Sequence, residues 1–222
     1  MIVGDSKPLE EILEMIEGKD KVLVLGCRGC VTVCNVGGEK EVGILATTLR
    51  IARKKRGLPG SIEERTLERQ CDPEYIEELV DTAEDYDAII SIACGVGPQF
   101  VSERFPKARV FPGLNTTFIG GALEHGVWSE RCQSCGNCLV HHFGGLCPIA
   151  RCSKSLMNGP CGGSANKKCE ISPEVDCVWH LIVEKMAEMG RLEELERVWP
   201  VKNWITSRDG GPRRRVREDL KQ

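Results

Sequence analysis

Through the first half of the chain, short apolar runs alternate with stretches whose apolar residues recur every three or four positions. Leu9, Ile12, Leu13 and Ile16 keep a helical period, with Ser6 placed as N-cap and Pro8 in the first turn, so residues 1–20 are predicted as a helix. Lys21-Val22-Leu23-Val24-Leu25-Gly26 is short, apolar and β-branched, the pattern of a strand buried on both faces. After Gly37-Gly38, residues 39–56 carry Val42, Leu45, Ala46, Leu49 and Ile51 as a second helix. A weaker strand is predicted over 61–67, and a helix opens at Pro73 with Ile76, Leu79 and Val80 on one face. Residues 88–93 are the clearest strand. A short helix around 99–105 leads to a fourth strand at 109–111.

Strand and helix in alternation predict an α/β fold, a Rossmann-like open parallel sheet. From about Trp128 the pattern is lost. Cys, Gly, Pro, Asn and Ser dominate up to Cys177, and a final helix is predicted from Pro173 to Met189. The expected organisation is an α/β domain over 1–127, a Cys-rich region with a C-terminal helix over 128–199, and an extended, partly mobile tail over 200–222. The middle region lacks the apolar residues to build its own core, so inorganic cross-links are expected to fold it.

Charge narrows the function. The net charge of −3 gives no general attraction to nucleic acid, and the basic run Arg213-Arg214-Arg215 with Arg217 is expected to be a solvated tail. The first twenty residues are too acidic and too short of apolar core for a signal peptide, and no run reaches the length of a membrane span, so a cytoplasmic protein without membrane insertion is expected.

The 13 cysteines carry the chemistry, and their odd count argues against a fully paired disulfide framework. Grouped thiols in a reducing compartment hold iron–sulfur clusters or zinc. Cys27, Cys30 and Cys34 follow the first predicted strand, Cys71 the second, and Cys94 the third. In a parallel sheet all five would project from the carboxyl edge, where open α/β sheets bind ligands. A four-thiolate site there leaves one of the five spare. Gly37 and Gly38, opening the next helix, are candidates to aim backbone N–H groups at an anionic cofactor. Core cysteines, or a redox pair at Cys27 and Cys30, are the alternatives.

Cys132, Cys135 and Cys138 have the stepped spacing that wraps one face of a cubane cluster. The fourth ligand is one of Cys147 (followed by Pro148), Cys152, Cys161, Cys169 and Cys177. Eight thiols divide into two four-thiolate sites, and two 4Fe–4S clusters or one cluster plus zinc both fit. With the early set, three clusters fit as well. His141-His142 suits a solvated loop pair better than a zinc site, and Gly95-Val96-Gly97-Pro98 lacks the full dinucleotide-loop spacing. Gly159-Pro160-Cys161-Gly162-Gly163 is a turn that allows close backbone approach.

Several blocks together resemble the methylenetetrahydrofolate reductase C-terminal domain family: Cys27 to Glu39, Glu68-Arg69-Gln70-Cys71, Ala93 to Gly97, Leu114 to Phe118, Glu130 to Cys138, and Asn158 to Gly163. The likeness runs over about residues 20–205. It implies the iron–sulfur, and in part zinc, small subunit that accompanies a separate flavin-carrying catalytic subunit in anaerobes, in one-carbon metabolism and the Wood–Ljungdahl pathway. So placed, the chain would carry no hydride chemistry of its own. It would relay electrons between the partner's flavin and a donor such as ferredoxin, an NADH-oxidising module or a heterodisulfide-reductase-like module. A chain of 222 residues has no room for a catalytic barrel of typical size beside this domain. A zinc-stabilised assembly module for a flavoprotein, and a thiol-disulfide or heterodisulfide-type reductase, are the competing expectations.

Overall fold

The computed structural model describes residues 1–220. Its elements run β1 (Ile2–Ser6), α1 (Leu9–Met15), β2 (Lys21–Cys27), α2 (Cys30–Val33), α3 (Glu39–Arg56), β3 (Ser61–Leu67), α4 (Pro73–Ile76), β4 (Ala88–Ser91), α5 (Val96–Arg104), β5 (Val110–Pro112), β6 (Leu114–Glu124), β7 (Val127–Cys132), α6 (Pro148–Arg151), β8 (Lys168–Cys169), β9 (Ser172–Asp176) and α7 (Val178–Glu188). The chain divides into two compact units, Met1–Ser129 and the part from Glu130 onward.

In the first unit a four-stranded parallel sheet has the order β3-β2-β4-β5. Both faces of its central strands are covered, which explains their unbroken apolar runs. Val22, Val24 and Ile90 belong to one cluster with Val42, Ala46 and Leu49 of α3 and Ile12 of α1. Leu23, Leu25 and Ile89 belong to a second with Ile76, Leu79, Val101 and Phe105. The two-residue period of a strand sends alternate side chains to these opposite layers. Helix α3 starts where the Glu41 carboxylate accepts the Gly38 N–H at 3.0 Å, and it ends at Gly57 in the left-handed conformation, φ +65°.

The reading of residues 1–20 as one helix is corrected. Residues 2–6 form β1, antiparallel to β6 with Ile2 opposite Ile119 and Ser6 opposite Leu114. Ser6 closes that strand, and the helix covers only Leu9–Met15 after Pro8. A proline disfavours helical backbone in the residue before it, so the helix cannot reach back across Lys7. Strands β6 and β7, which complete the sheet β1-β6-β7, were not foreseen.

From Glu130 onward the apolar core is small: Phe143, Cys177, Val178, Trp179, Ile182 and Met186. The Trp179 indole N–H donates to the Leu156 carbonyl at 3.0 Å. The C-terminal helix is present but starts at Val178, because Ser172–Asp176 pairs with Lys168–Cys169 as a hairpin. Pro173 and Val175 therefore belong to a strand. Within the stretch expected as a tail there is some local structure. Residues 204–206, 208–210 and 218–220 form short helical turns, and Ser207 is buried.

Candidate metal centres

In the first unit the sheet order reverses between β2 and β4, which opens a crevice at their carboxyl ends. Cys27 ends β2, Cys30 opens α2, Cys71 follows β3 and Cys94 follows β4. Burial, and then the neighbouring thiols of Cys27, Cys94 and Cys30, push the Cys71 thiol above its ordinary pKa. Those four cysteines are thus electrostatic neighbours although they come from three separate stretches of chain, Cys27 and Cys30 sharing one. Gln70 sets the loop that carries Cys71. It is fully buried, its amide donates to the Leu25 and Gly26 carbonyls at 2.9 Å each, and its side-chain oxygen accepts the Ser91 hydroxyl at 2.6 Å. One side chain therefore ties β2, β4 and the Cys71 loop together. Sequence reasoning did not single it out for this role, although it sits beside Cys71 in a recognised block.

Cys34 stands apart. It is 4% exposed and packs in the apolar cluster with Val31 and Val3, its sulfur 3.7 Å from the Val31 carbonyl oxygen and 3.9 Å from that of Ile2. Burial pushes its thiol up, and Cys30 is its one thiol neighbour in that shift. Gly37 and Gly38 do not present free N–H groups. The Gly37 N–H donates to the Val31 carbonyl and that of Gly38 to Glu41. Glycine is needed at 37 for a different reason: a Cβ there would lie 1.9 Å from the Ile92 carbonyl oxygen.

From Glu130 onward the eight cysteines separate into two sets of four. One cavity of about 300 Å³ is lined by Cys132, Cys135, Cys138 and Cys147, with Arg131, Phe143 and Ile149 among its walls. A second, of about 20 Å³, is lined by Cys152, Cys161, Cys169 and Cys177, with Arg151, Lys154 and Trp179. Local backbone presents the sulfurs. The N–H groups of Ser134, Ala150 and Gly163 donate to Cys132 at 3.3 Å, Cys147 at 3.4 Å and Cys161 at 3.4 Å. Ser134 (φ +53°) and Gly136 (φ +78°) take left-handed conformations that curl the loop between Cys132 and Cys138. Hydrogen bonds from the Ile171 backbone and the Ser153 hydroxyl hold the Cys169 thiol below its usual pKa. Lys154 is paired with Glu170, which pushes its ammonium up.

Among the described residues, no three His, Cys, Asp or Glu side chains converge on one ion-sized position. The thiols line the two cavities without closing on a point. The His141 and His142 ring centres lie 3.8 Å apart with the planes tilted by 42°, and those of His142 and Trp199 4.6 Å apart with a tilt of 53°.

The larger cavity and the Cys132–Cys138 loop fall in a segment with known relatives. Residues 111–205 match the family described as methylene-tetrahydrofolate reductase C terminal. No curated protein and no solved structure matches the chain. The matched segment contains all eight late cysteines. The Cys27–Glu39 block, Cys71 and Cys94 lie outside it, although the resemblance read from the sequence extends over them. No helix among the described residues is long and apolar enough to cross a membrane.

Proposed function

We propose that the chain is an electron-relay subunit that works beside a separate flavin-carrying methylenetetrahydrofolate reductase in the cytoplasm. The observation that carries this reading is the sorting of eight cysteines, four to each of two cavities, within the family segment. The larger cavity suits a 4Fe–4S cluster held by Cys132, Cys135, Cys138 and Cys147. The smaller cavity has room for about one water-sized occupant, which favours a structural zinc at Cys152, Cys161, Cys169 and Cys177. At the sheet edge, Cys27, Cys30, Cys71 and Cys94 are the set for a further cluster, and Cys34 is the spare thiol.

When bound, iron–sulfur clusters supply one-electron transfer at potentials tuned by charge, burial and hydrogen bonds to sulfur. The chain's own residues set those terms. Backbone N–H groups of Ser134 and Ala150 donate to two of the four thiols of the larger cavity, and Phe143, itself buried, helps exclude water from it. Gln70 holds the sheet-edge loop at fixed distance from β2 and β4.

Anaerobic purification of the full chain, with iron, sulfide and zinc analysis, tests the reading. The expected product is brown, bleaches on reduction, contains about eight irons and one zinc for two cubanes and one zinc site, and retains a flavoprotein when isolated from its native source. A folded, colourless protein without iron would refute the relay. Zinc alone would instead support the assembly-module reading.

A further inference from the structure

The segment that follows the family match is bound to the loop that carries three of the cluster thiols. The Thr206 hydroxyl donates to the Cys135 carbonyl at 2.8 Å. One guanidinium nitrogen of Arg213 bridges the Ser134 carbonyl at 2.6 Å and the Thr206 carbonyl at 2.9 Å. Between them, Gly136 lies so close that a Cβ would come 2.1 Å from the Thr206 carbonyl oxygen. The segment is itself braced. The Asn203 side chain accepts the Ile205 N–H at 3.0 Å, and the buried Ser207 hydroxyl donates to the Trp204 carbonyl at 2.7 Å. The Ser207 oxygen also accepts the Asp209 N–H at 3.1 Å.

We propose that residues 203–213 are a strap that fixes the Cys132–Cys138 loop in its ligand-presenting shape, with Thr206 and Arg213 as its positioning residues. Three observations converge on the same three loop residues, Ser134, Cys135 and Gly136, and all three line the larger cavity. A non-glycine residue at positive φ, such as Ser134, persists only where its surroundings over-determine it. Arg213 does this by holding the Ser134 carbonyl. Its guanidinium also sets a positive charge against a loop that would border an anionic cofactor. This part of the inference rests on the relay reading; the strap itself does not.

The test uses the full chain as wild type, Arg213→Ala, Arg213→Lys and Thr206→Val. In metal-free protein, iodoacetamide labelling is mapped by mass spectrometry. Both Arg213→Ala and Thr206→Val should label faster at Cys135, the half-buried thiol of the loop, on the order of tenfold for the arginine, whose charged hydrogen bonds are the stronger, while the exposed Cys132 and Cys138 react readily in every form. Cys152, Cys161 and Cys169 should keep their wild-type rates. In anaerobically reconstituted protein, Arg213→Ala should lose iron to a chelator faster and show a more negative midpoint potential. Thr206→Val should change retention with little change in potential, and Arg213→Lys should restore the potential. Unchanged labelling in both variants, or equal acceleration at all the cysteines, would overturn the strap. Uptake of no iron by the wild type would end the relay reading, and the labelling arm would still decide the strap.

Discussion

Single residues in this chain do work that their spacing conceals. The cysteines announce themselves by number and grouping, and the triple step from Cys132 to Cys138 is legible because its three thiols are set within one short loop that lines a single cavity. Gln70 is not legible in that way. A buried glutamine satisfied by two carbonyls and a hydroxyl is a property of three distant segments meeting, and no local pattern encodes it. Replacing it by leucine should lower unfolding free energy by about 3 kcal/mol, since the partners it leaves behind are buried and unpaired; urea unfolding of the metal-free protein measures this. The five early thiols give a second residue-scale prediction. Cys34→Ala should leave iron content unchanged, whereas Cys71→Ala should lower it by about four irons, one cubane. Equal losses in both variants would remove the distinction drawn from their burial.

Among the elements, the parallel sheet was legible because strands covered on both faces are apolar throughout, and helices of regular period separate them. The antiparallel strands were not. β6 alternates weakly and is largely exposed or half-buried, and β1 finds its partner only after the whole parallel sheet has intervened. The hairpin of β8 and β9 is short and polar, so Pro173 reads more naturally as a helix start. Asp87 gives this scale its pH dependence. Its carboxylate accepts the Asp20 and Lys21 N–H groups at 3.0 and 2.8 Å, joining the start of β2 to the entry of β4. Those bonds, Lys21 first, hold its pKa below the usual carboxylate value. A group lowered on folding stabilises the fold above its unfolded pKa and loses that contribution as pH falls through the folded value. Asp87→Ala should therefore be less stable than wild type at pH 7, with the gap closing below about pH 4. Thermal melts across that range are the check, and a gap constant with pH would show that the carboxylate charge is irrelevant.

For the molecule as a whole, the proposed metal sites have a consequence for the small second unit. Its apolar cluster rests on few side chains, chiefly Phe143, Trp179, Ile182 and Met186, and Cys177 is one of its members. Chelation of the site at Cys152, Cys161, Cys169 and Cys177 should therefore loosen this unit while leaving the sheet of the first unit intact. Hydrogen exchange should show protection lost in α7 and retained in β2 and β4; uniform loss across both would mean that the two units do not unfold separately.

The antiparallel pairing of β1 with β6 bears on how the protein is made. The Thr117 hydroxyl donates to the Val3 carbonyl across 114 residues of chain. As the polypeptide leaves the ribosome, the early strand has no mate until that distance has been translated, roughly ten seconds at ordinary speeds. Nascent chains arrested before residue 114 should thus display an open, β-branched edge that a holding chaperone can bind, and those arrested well past residue 124 should not.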